Sequence, residues 1–372
     1  MALDHVRDYF HADAFLYSPT DLGKTSVPLF FTRWITHFCA PIFVFLAGIS
    51  ACLYGAKKGR KALAIFLLTR GLWLVFVEIF IINLLRTFNL SYPFINLQVI
   101  WVIGISMMVL AGLIYLGRLV ILFIGGILLM GHNLLDGVHV QGNGGGAIVW
   151  ALLHDPGVFR FGHMVLSVKY PLLPWIGIIS IGYFVGTYYL PQYNQAERKA
   201  RLLLFGFGSI ALFLLLRTAN CYGDPAHWSP QATFVFSCLS FFNVTKYPPS
   251  LLYTWMTLGP AMIFLALAEM EPGKLGGRVI VFGRTAMFYY LAHILLIHLL
   301  ALIGVVVSGY SLGSMITHGA INDMPELKGY GFPLIVVYLV WLGLLLLLYP
   351  LCRWFDRYKR ANQATKWWLS YL

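Results

Sequence analysis

The sequence predicts an all-α fold, a polytopic bundle of transmembrane helices. Three observations predict it. Of 372 residues, 59% are apolar and only 11% are charged, against roughly 25% charged in soluble domains. Apolar tracts of about 20 residues recur along the whole chain, longer than the roughly 10–14 of a buried core helix. Within them, as in Ile335 to Leu348, nearly every side is apolar, whereas a membrane β-strand alternates at period 2. A water-soluble globule and a transmembrane barrel are both excluded.

Taken in order, tracts bounded by charged or Pro/Gly-rich breaks place spans near 33–55, 62–85, 95–116, 119–135, 171–190, 202–219, 249–270, 279–304 and 332–352, about nine in this chain. The fourth carries Gly125, Gly126 and Gly131, is short, and reads as tilted, broken or re-entrant. No stretch resembles a separate soluble domain, so residues 1–372 are read as a single domain. The tract Gly142 to Gly146, GNGGG, has no strand or βαβ unit around it and reads as a flexible loop rather than a dinucleotide site. Met1 to His11 carries Asp4, His5, Arg7 and Asp8 instead of the apolar core of a cleavable signal.

Charge sets orientation. The chain holds 26 Lys and Arg against 14 Asp and Glu, a net +12. In a membrane protein that excess marks the cytoplasmic loops before it suggests nucleic acid, and no nucleic-acid partner is expected. One set of alternate connections (56–61, 117–118, 191–201, 271–278 and 353–372) carries 15 Lys and Arg, and the opposite set carries nine. The first set and the C-terminus are therefore expected in the cytoplasm, with 1–32, 136–170, 220–248 and 305–331 outside. Of the five cysteines, Cys39, Cys52 and Cys352 lie in or beside apolar tracts, Cys221 and Cys238 lie in an outer connection, and none forms a metal-binding spacing. No metal is expected.

Ionisable side chains inside a span cost about 2.5 to 3.5 kcal/mol each and tend to face protein or a wet cavity. Arg70 and Glu78 stand about 12 Å apart along one helix, too far to pair with each other, so each either pairs with another helix or lines a substrate pocket. Arg33 and His37, at i and i+4, share a face where the chain enters the membrane. Tyr289, Tyr290 and His293 cluster on one face of the eighth span, with His298 about 140° around the helix. His132 and Asp136, again i and i+4, read either as a helix cap or as a base with its orienting carboxylate. The densest cluster opens the chain: Asp4, His5, Arg7, Asp8 and His11, interleaved with Leu3, Val6, Tyr9 and Phe10 at helical spacing. It reads as the polar end of a helix rather than a solvated tail.

Several segments then carry a resemblance. MALDHVRDYFH at the start, HFCAPIFVFLAG (His37 to Gly48), YPLLPWIGIISIGYFVG (Tyr170 to Gly186), KYPPSLLYTWMTLGP (Lys246 to Pro260) and GRTAMFYYLAH (Gly283 to His293) resemble bacterial integral membrane proteins related to the catalytic domain of heparan-α-glucosaminide N-acetyltransferase. The resemblance implies an acyltransferase of the bacterial inner membrane. It would move an acyl group, typically acetyl, from acetyl-CoA as co-substrate to an amino sugar or envelope glycan on the far side, with a histidine at its centre. Asp4 and His5 occupy the region where the family carries an asparagine ahead of its key histidine, and His37 stands ahead of Pro41 where the family has a carboxylate. The expected catalytic residues are His5, His11, His37 and Asp4, gathered near the outer surface. The expected substrate-binding residues are Arg33, Arg70, Glu78, Lys246, Tyr290 and His293. A neutral imidazole can take a proton from an attacking amine or hydroxyl, Asp4 or Asp8 can fix its tautomer, and Arg33 can stabilise an oxyanion.

The expected partners are the lipid bilayer and a small-molecule or glycan acceptor, with a homodimer left open. Related sequences carry an apolar helix just upstream of the segment resembling MALDHVRDYFH, so a tenth span ahead of Met1 is also expected. The alternative is a membrane transporter or flippase of a polar or glycolipid substrate, which also wants Arg, Glu and His in a cavity, although no second copy of HFCAPIFVFLAG marks an inverted repeat. A third class, electron transfer through haem held by His37 and His293, fits less well.

Overall fold

The structure is a computed structural model that describes residues 1–269, 273–363 and 365–371. The expected end of the seventh span at Met270 and the start of the connection after it fall outside the described residues. The protein is mostly helical. Its helices are α1 (Ala2–Phe10), α2 (Val27–Lys58), α3 (Arg60–Thr87), α4 (Val99–Leu113), α5 (Arg118–Leu135), α6 (Gly145–Leu153), α7 (Leu172–Tyr189), α8 (Gln195–Ala219), α9 (Phe234–Phe242), α10 (Leu251–Leu267), α11 (Lys274–Arg284), α12 (Ala286–Val307) and α13 (Leu334–Asn362). Among the described residues seven of them, α2, α3, α5, α7, α8, α12 and α13, are long and apolar enough to cross a membrane. The tracts at 95–116 and 249–270 fold into the shorter apolar helices α4 and α10. The fourth tract, expected to be tilted or broken, is a continuous helix closing in a 3-10 turn at His132–Leu135.

Three short strands, β1 (Phe94–Leu97), β2 (Gly157–Phe161) and β3 (Met164–Val168), form a small sheet in the order β1-β3-β2. β2 and β3 pair antiparallel, with Gly157 opposite Val168. This hairpin is not apparent from the sequence, where a run of mixed polarity between apolar tracts reads as loop.

The chain packs as two compact units built from interleaved segments. The first comprises residues 1–36, 80–94 and 270–372; the second comprises 37–79 and 95–269. No composition break marks these boundaries in the sequence.

In the first unit, α1 turns one apolar face, Ala2, Val6, Tyr9 and Phe10, into a core shared with Ile297, Ala301 and Val305 of α12 and Val337, Leu344 and Leu348 of α13. Spacing of three and four residues puts these α1 side chains on one side of the helix. The helix stops at His11, whose extended backbone bridges to Phe332: the Phe332 amide donates to the Phe10 carbonyl at 2.7 Å and the Ala12 amide to the Phe332 carbonyl at 3.1 Å. Gly331 permits this approach. Its φ is +126°, and a Cβ there would lie 2.4 Å from Ala12 Cα.

In the second unit, helices meet backbone to backbone at small residues. A Cβ on Gly182 of α7 would stand 2.2 Å from the Phe45 carbonyl of α2, and one on Gly48 would stand 2.2 Å from the Ile179 carbonyl. The same device joins α3 to α4 at Gly71 and Gly104, α5 to α7 at Gly125 and Gly177, and α8 to α10 at Gly206 and Gly259. Where lipid removes the hydrophobic drive between helices, close van der Waals packing at small residues holds them together.

Buried charges in this unit serve helix ends. Glu78, fully buried in the π-helical turn Val77–Ile82 of α3, accepts the Ile100 and Trp101 amides at 2.9 and 3.0 Å. A carboxylate on the otherwise orphaned amides of α4 suits both their hydrogen-bonding need and the helix dipole. Arg217, 1% exposed, donates to the carbonyls of Ala226, Ser240, Phe241 and Asn243, closing the end of α9 and the loop before it.

Gly182→Ala should destabilise the protein by about 1–3 kcal/mol through overpacking. Gly208→Ala, at a helical position with open space around it, should leave the midpoint unchanged or raise it slightly. Thermal unfolding of the two variants in detergent checks the contrast.

Candidate functional site

The first unit assembles the candidate site from α1, the end of α3 and the middle of α12. His5 of α1 and His293 of α12 lie ring over ring, with centroids 5.0 Å apart and planes 5° from parallel. His5 Nδ1 is 2.9 Å from His293 Nε2. On the other side of the His5 ring, Arg86 Nη2 stands 3.2 Å from Nε2, and it also donates to the Tyr290 hydroxyl at 3.5 Å. Tyr290 meets both imidazoles edge-on.

A guanidinium can only donate, so this contact fixes every proton in the chain. His5 Nε2 must accept from Arg86, which leaves the His5 proton on Nδ1. That N–H donates to His293 Nε2, and the His293 proton, now on Nδ1, donates to the Tyr289 carbonyl at 2.8 Å. Two neutral imidazoles are thereby locked in defined tautomers along one direction.

The supporting contacts hold Arg86 in place. Tyr9 donates its hydroxyl proton to the Arg86 carbonyl at 2.7 Å, the Thr317 amide donates to the Thr87 carbonyl at 2.9 Å, and His298 Nδ1 lies 2.9 Å from the Leu85 carbonyl. Burial pushes the Tyr9 hydroxyl pKa upward, so it stays a donor. Asp4 carries two arginines, Arg33 through a direct ion pair and Arg7 at 2.9 Å, and Arg7 also meets Asp8 at 2.5 Å. Helix α1 lies outside the seven long spans. There, burial first, then the Arg86 and His293 neighbours, hold His5 well below the ordinary imidazole value, with Asp4 opposing.

Most of the other residues expected to form the site lie elsewhere or serve other ends. His11 ends α1 with its Nδ1 accepting the Asp13 amide at 3.3 Å, a capping position. Arg33 spends its charge on Asp4; the guanidinium at the imidazole pair is that of Arg86. His37 belongs to the second unit, where its carbonyl accepts the Tyr253 hydroxyl at 2.7 Å and its ring meets Tyr253 edge-on. The 3-10 turn Ile35–Phe38 interrupts the 3.6-residue period on which the Arg33–His37 face rested. Also in the second unit, Arg70 lies over the Phe66 ring, Glu78 caps α4, and Lys246 lies 5.3 Å from the Tyr247 ring centroid. Tyr290 and His293 share the face that their spacing predicted.

Sequence reasoning missed Arg86. It stands one residue beyond a predicted span, and no local spacing ties it to His5. It also missed His154, which meets His132 and Asp136 in the second unit, the one group of three ligand-type side chains close enough for a metal ion among the described residues.

The profile of the heparan-alpha-glucosaminide N-acetyltransferase catalytic family matches residues 9–217, more than half of the chain. The chain belongs to this family. Among curated proteins and among solved structures nothing matches. The matched region contains Arg86, His11 and His37 and stops short of Asp4, His5, Tyr290 and His293, so the imidazole pair rests on the geometry above. Seven apolar helices and a membrane-enzyme family together make this an integral membrane protein of acyltransferase kinship.

Since the folded pKa of His5 lies below about 6.5, the unfolded chain binds the proton first, and the His5 contribution to stability is lost as pH falls below that value. Arg86→Gln removes a cation that depresses His5. The acid-side midpoint of His5-dependent activity should move up toward about pH 6.5, while the stability lost on acidification should shrink because the folded and unfolded values draw together; paired pH titrations of wild type and variant would detect both.

Proposed function

We propose that the protein is a transmembrane acyltransferase that takes an acyl group, acetyl first, from acyl-CoA and delivers it to the amine or hydroxyl of an amino sugar or envelope glycan. The observation that carries this reading is the neutral His5–His293 pair with Arg86 against it, in a chain of the N-acetyltransferase family. In this reading the acceptor's N–H or O–H replaces Arg86 at His5 Nε2 and gives up its proton there. As that proton passes to Nε2 the nitrogen or oxygen attacks the thioester carbonyl, a tetrahedral oxyanion forms, and its collapse leaves the acyl group on the acceptor and expels the CoA thiolate, which takes the proton back from Nε2. The proton gained at Nε2 makes Nδ1–H more acidic, and His293 Nε2 is placed to share the charge. Arg86, released from Nε2, is the nearest cation for the oxyanion. A base so placed contributes typically about 10²–10⁴ in rate.

Nine spans, with α4 and α10 as shorter crossings, and a cytoplasmic C-terminus in a bacterial inner membrane complete the proposal, supported by the 15 to 9 division of basic residues between alternate connections.

The test reconstitutes the full chain in vesicles with labelled acetyl-CoA, with and without amino sugars. Acceptor-dependent label transfer, reduced about 10²-fold or more in His5→Ala, is the expected result. Movement of an unlabelled sugar across the vesicle without any donor, and no label transfer, would replace the enzyme by a transporter.

A further inference from the structure

At the far end of α5 the second unit holds a second histidine cluster that the acyl-transfer reading does not use. His132 and Asp136 project from the last turn of α5 and from just beyond it, and His154 closes α6. Their ligand atoms all lie within 4.8 Å of one another, and among the described residues no other group of three does so. His154 Nε2 is 3.2 Å from Asp136 Oδ1. Both histidines are only 2% exposed.

The decisive detail is His132. Neither of its ring nitrogens has a hydrogen-bond partner in the protein, and His154 Nδ1 has none either. Buried imidazole nitrogens are ordinarily satisfied, so an aromatic packing role alone leaves this ring unexplained. A helix cap would explain Asp136 but not His132, since capping is done by a group that meets a backbone amide. A cation would take one nitrogen of each ring together with an oxygen of Asp136, and so gives the three side chains a common partner. Tetrahedral zinc bound at about 2.0–2.1 Å sets its ligand atoms about 3.4 Å apart. The His154–Asp136 separation already matches that spacing, and the His132 donor lies within 4.8 Å of both.

The surroundings fit. The second carboxylate oxygen of Asp136 accepts Asn133 Nδ2 at 2.8 Å, and Asn133 Oδ1 accepts the Leu251 amide of α10 at 3.0 Å. That is the outer shell which orients a ligating carboxylate. Trp150 and the His132 ring flank His154 and exclude water from that side, while Asp136 keeps 19% of its side chain exposed as a route of entry.

We propose that His132, Asp136 and His154 bind a zinc ion, with water in the fourth position. The ion ties the end of α5 to the end of α6 and so fixes the loop between them. This proposal is independent of the acyl-transfer reading.

The full-length protein, purified in detergent and stripped with a chelator, should take up about one zinc per chain on dialysis against dilute zinc. Its unfolding midpoint should rise by roughly 5 °C at zinc a hundredfold above Kd. His132→Ala and His154→Ala should each abolish uptake and leave the midpoint at the chelated wild-type value, and Asn133→Ala should weaken binding roughly tenfold or more. Cobalt added to the stripped wild type should give visible absorption bands that zinc displaces, a readout that needs no variant to fold. Zinc content near zero in the refilled wild type, or equal zinc in wild type and in the His132→Ala/His154→Ala double variant, or a cobalt spectrum unaffected by zinc, would overturn the site.

Discussion

Hydrocarbon offers no hydrogen bonds, so every polar group drawn into this bundle must find its partner inside the protein. Much of the architecture follows from that constraint. Glu78 is tolerated with no exposed surface because two α4 amides need an acceptor, and Arg217 because four carbonyls around the end of α9 need a donor. The glycine contacts between α2 and α7 and between α8 and α10 serve the same constraint from the other side. They bring backbones close enough for apolar packing to hold helices together without a solvent-driven force.

The imidazole pair obeys the same rule with a different outcome. Arg86, His5, His293 and the Tyr289 carbonyl form a line of donors and acceptors in which each proton has one place. Because Arg86 cannot accept, the direction of the line is fixed by residue type, and both rings rest neutral. A neutral pair with a cation against its outer nitrogen is stable while idle and becomes a base once a substrate group takes the place of the cation. The short helix α1 is what makes this possible, since its apolar face is buried against α12 and α13 while Asp4 and His5 turn toward Arg33, Arg7 and Arg86.

The helices were largely legible because hydropathy and length report directly on them. Among the described residues each of the nine predicted tracts is largely helical, but the third begins in strand β1 and the eighth is split at Thr285 between α11 and α12; elsewhere polar turns extend a helix, as Gln195 to Arg201 does for α8. The Tyr290–His293 face could be read from spacing within one helix. What spacing could not supply was contact between distant segments. His5 and His293 lie 288 residues apart, and Arg86 lies 81 residues from His5. The amides that claim Glu78 carry no side-chain signature at all. The 3-10 turn after Trp34 shows the converse, a local register change that undoes an i, i+4 pairing which the sequence makes attractive.

Whether His5 and His293 work as one unit is tested most directly by a double-mutant cycle on acyl transfer with His5→Ala, His293→Ala and the double variant. Residues that act together are strongly non-additive. The double variant is expected to be no slower than the worse single variant, to within about threefold. Losses that multiply, or a His293→Ala variant as fast as wild type, would contradict a joint role.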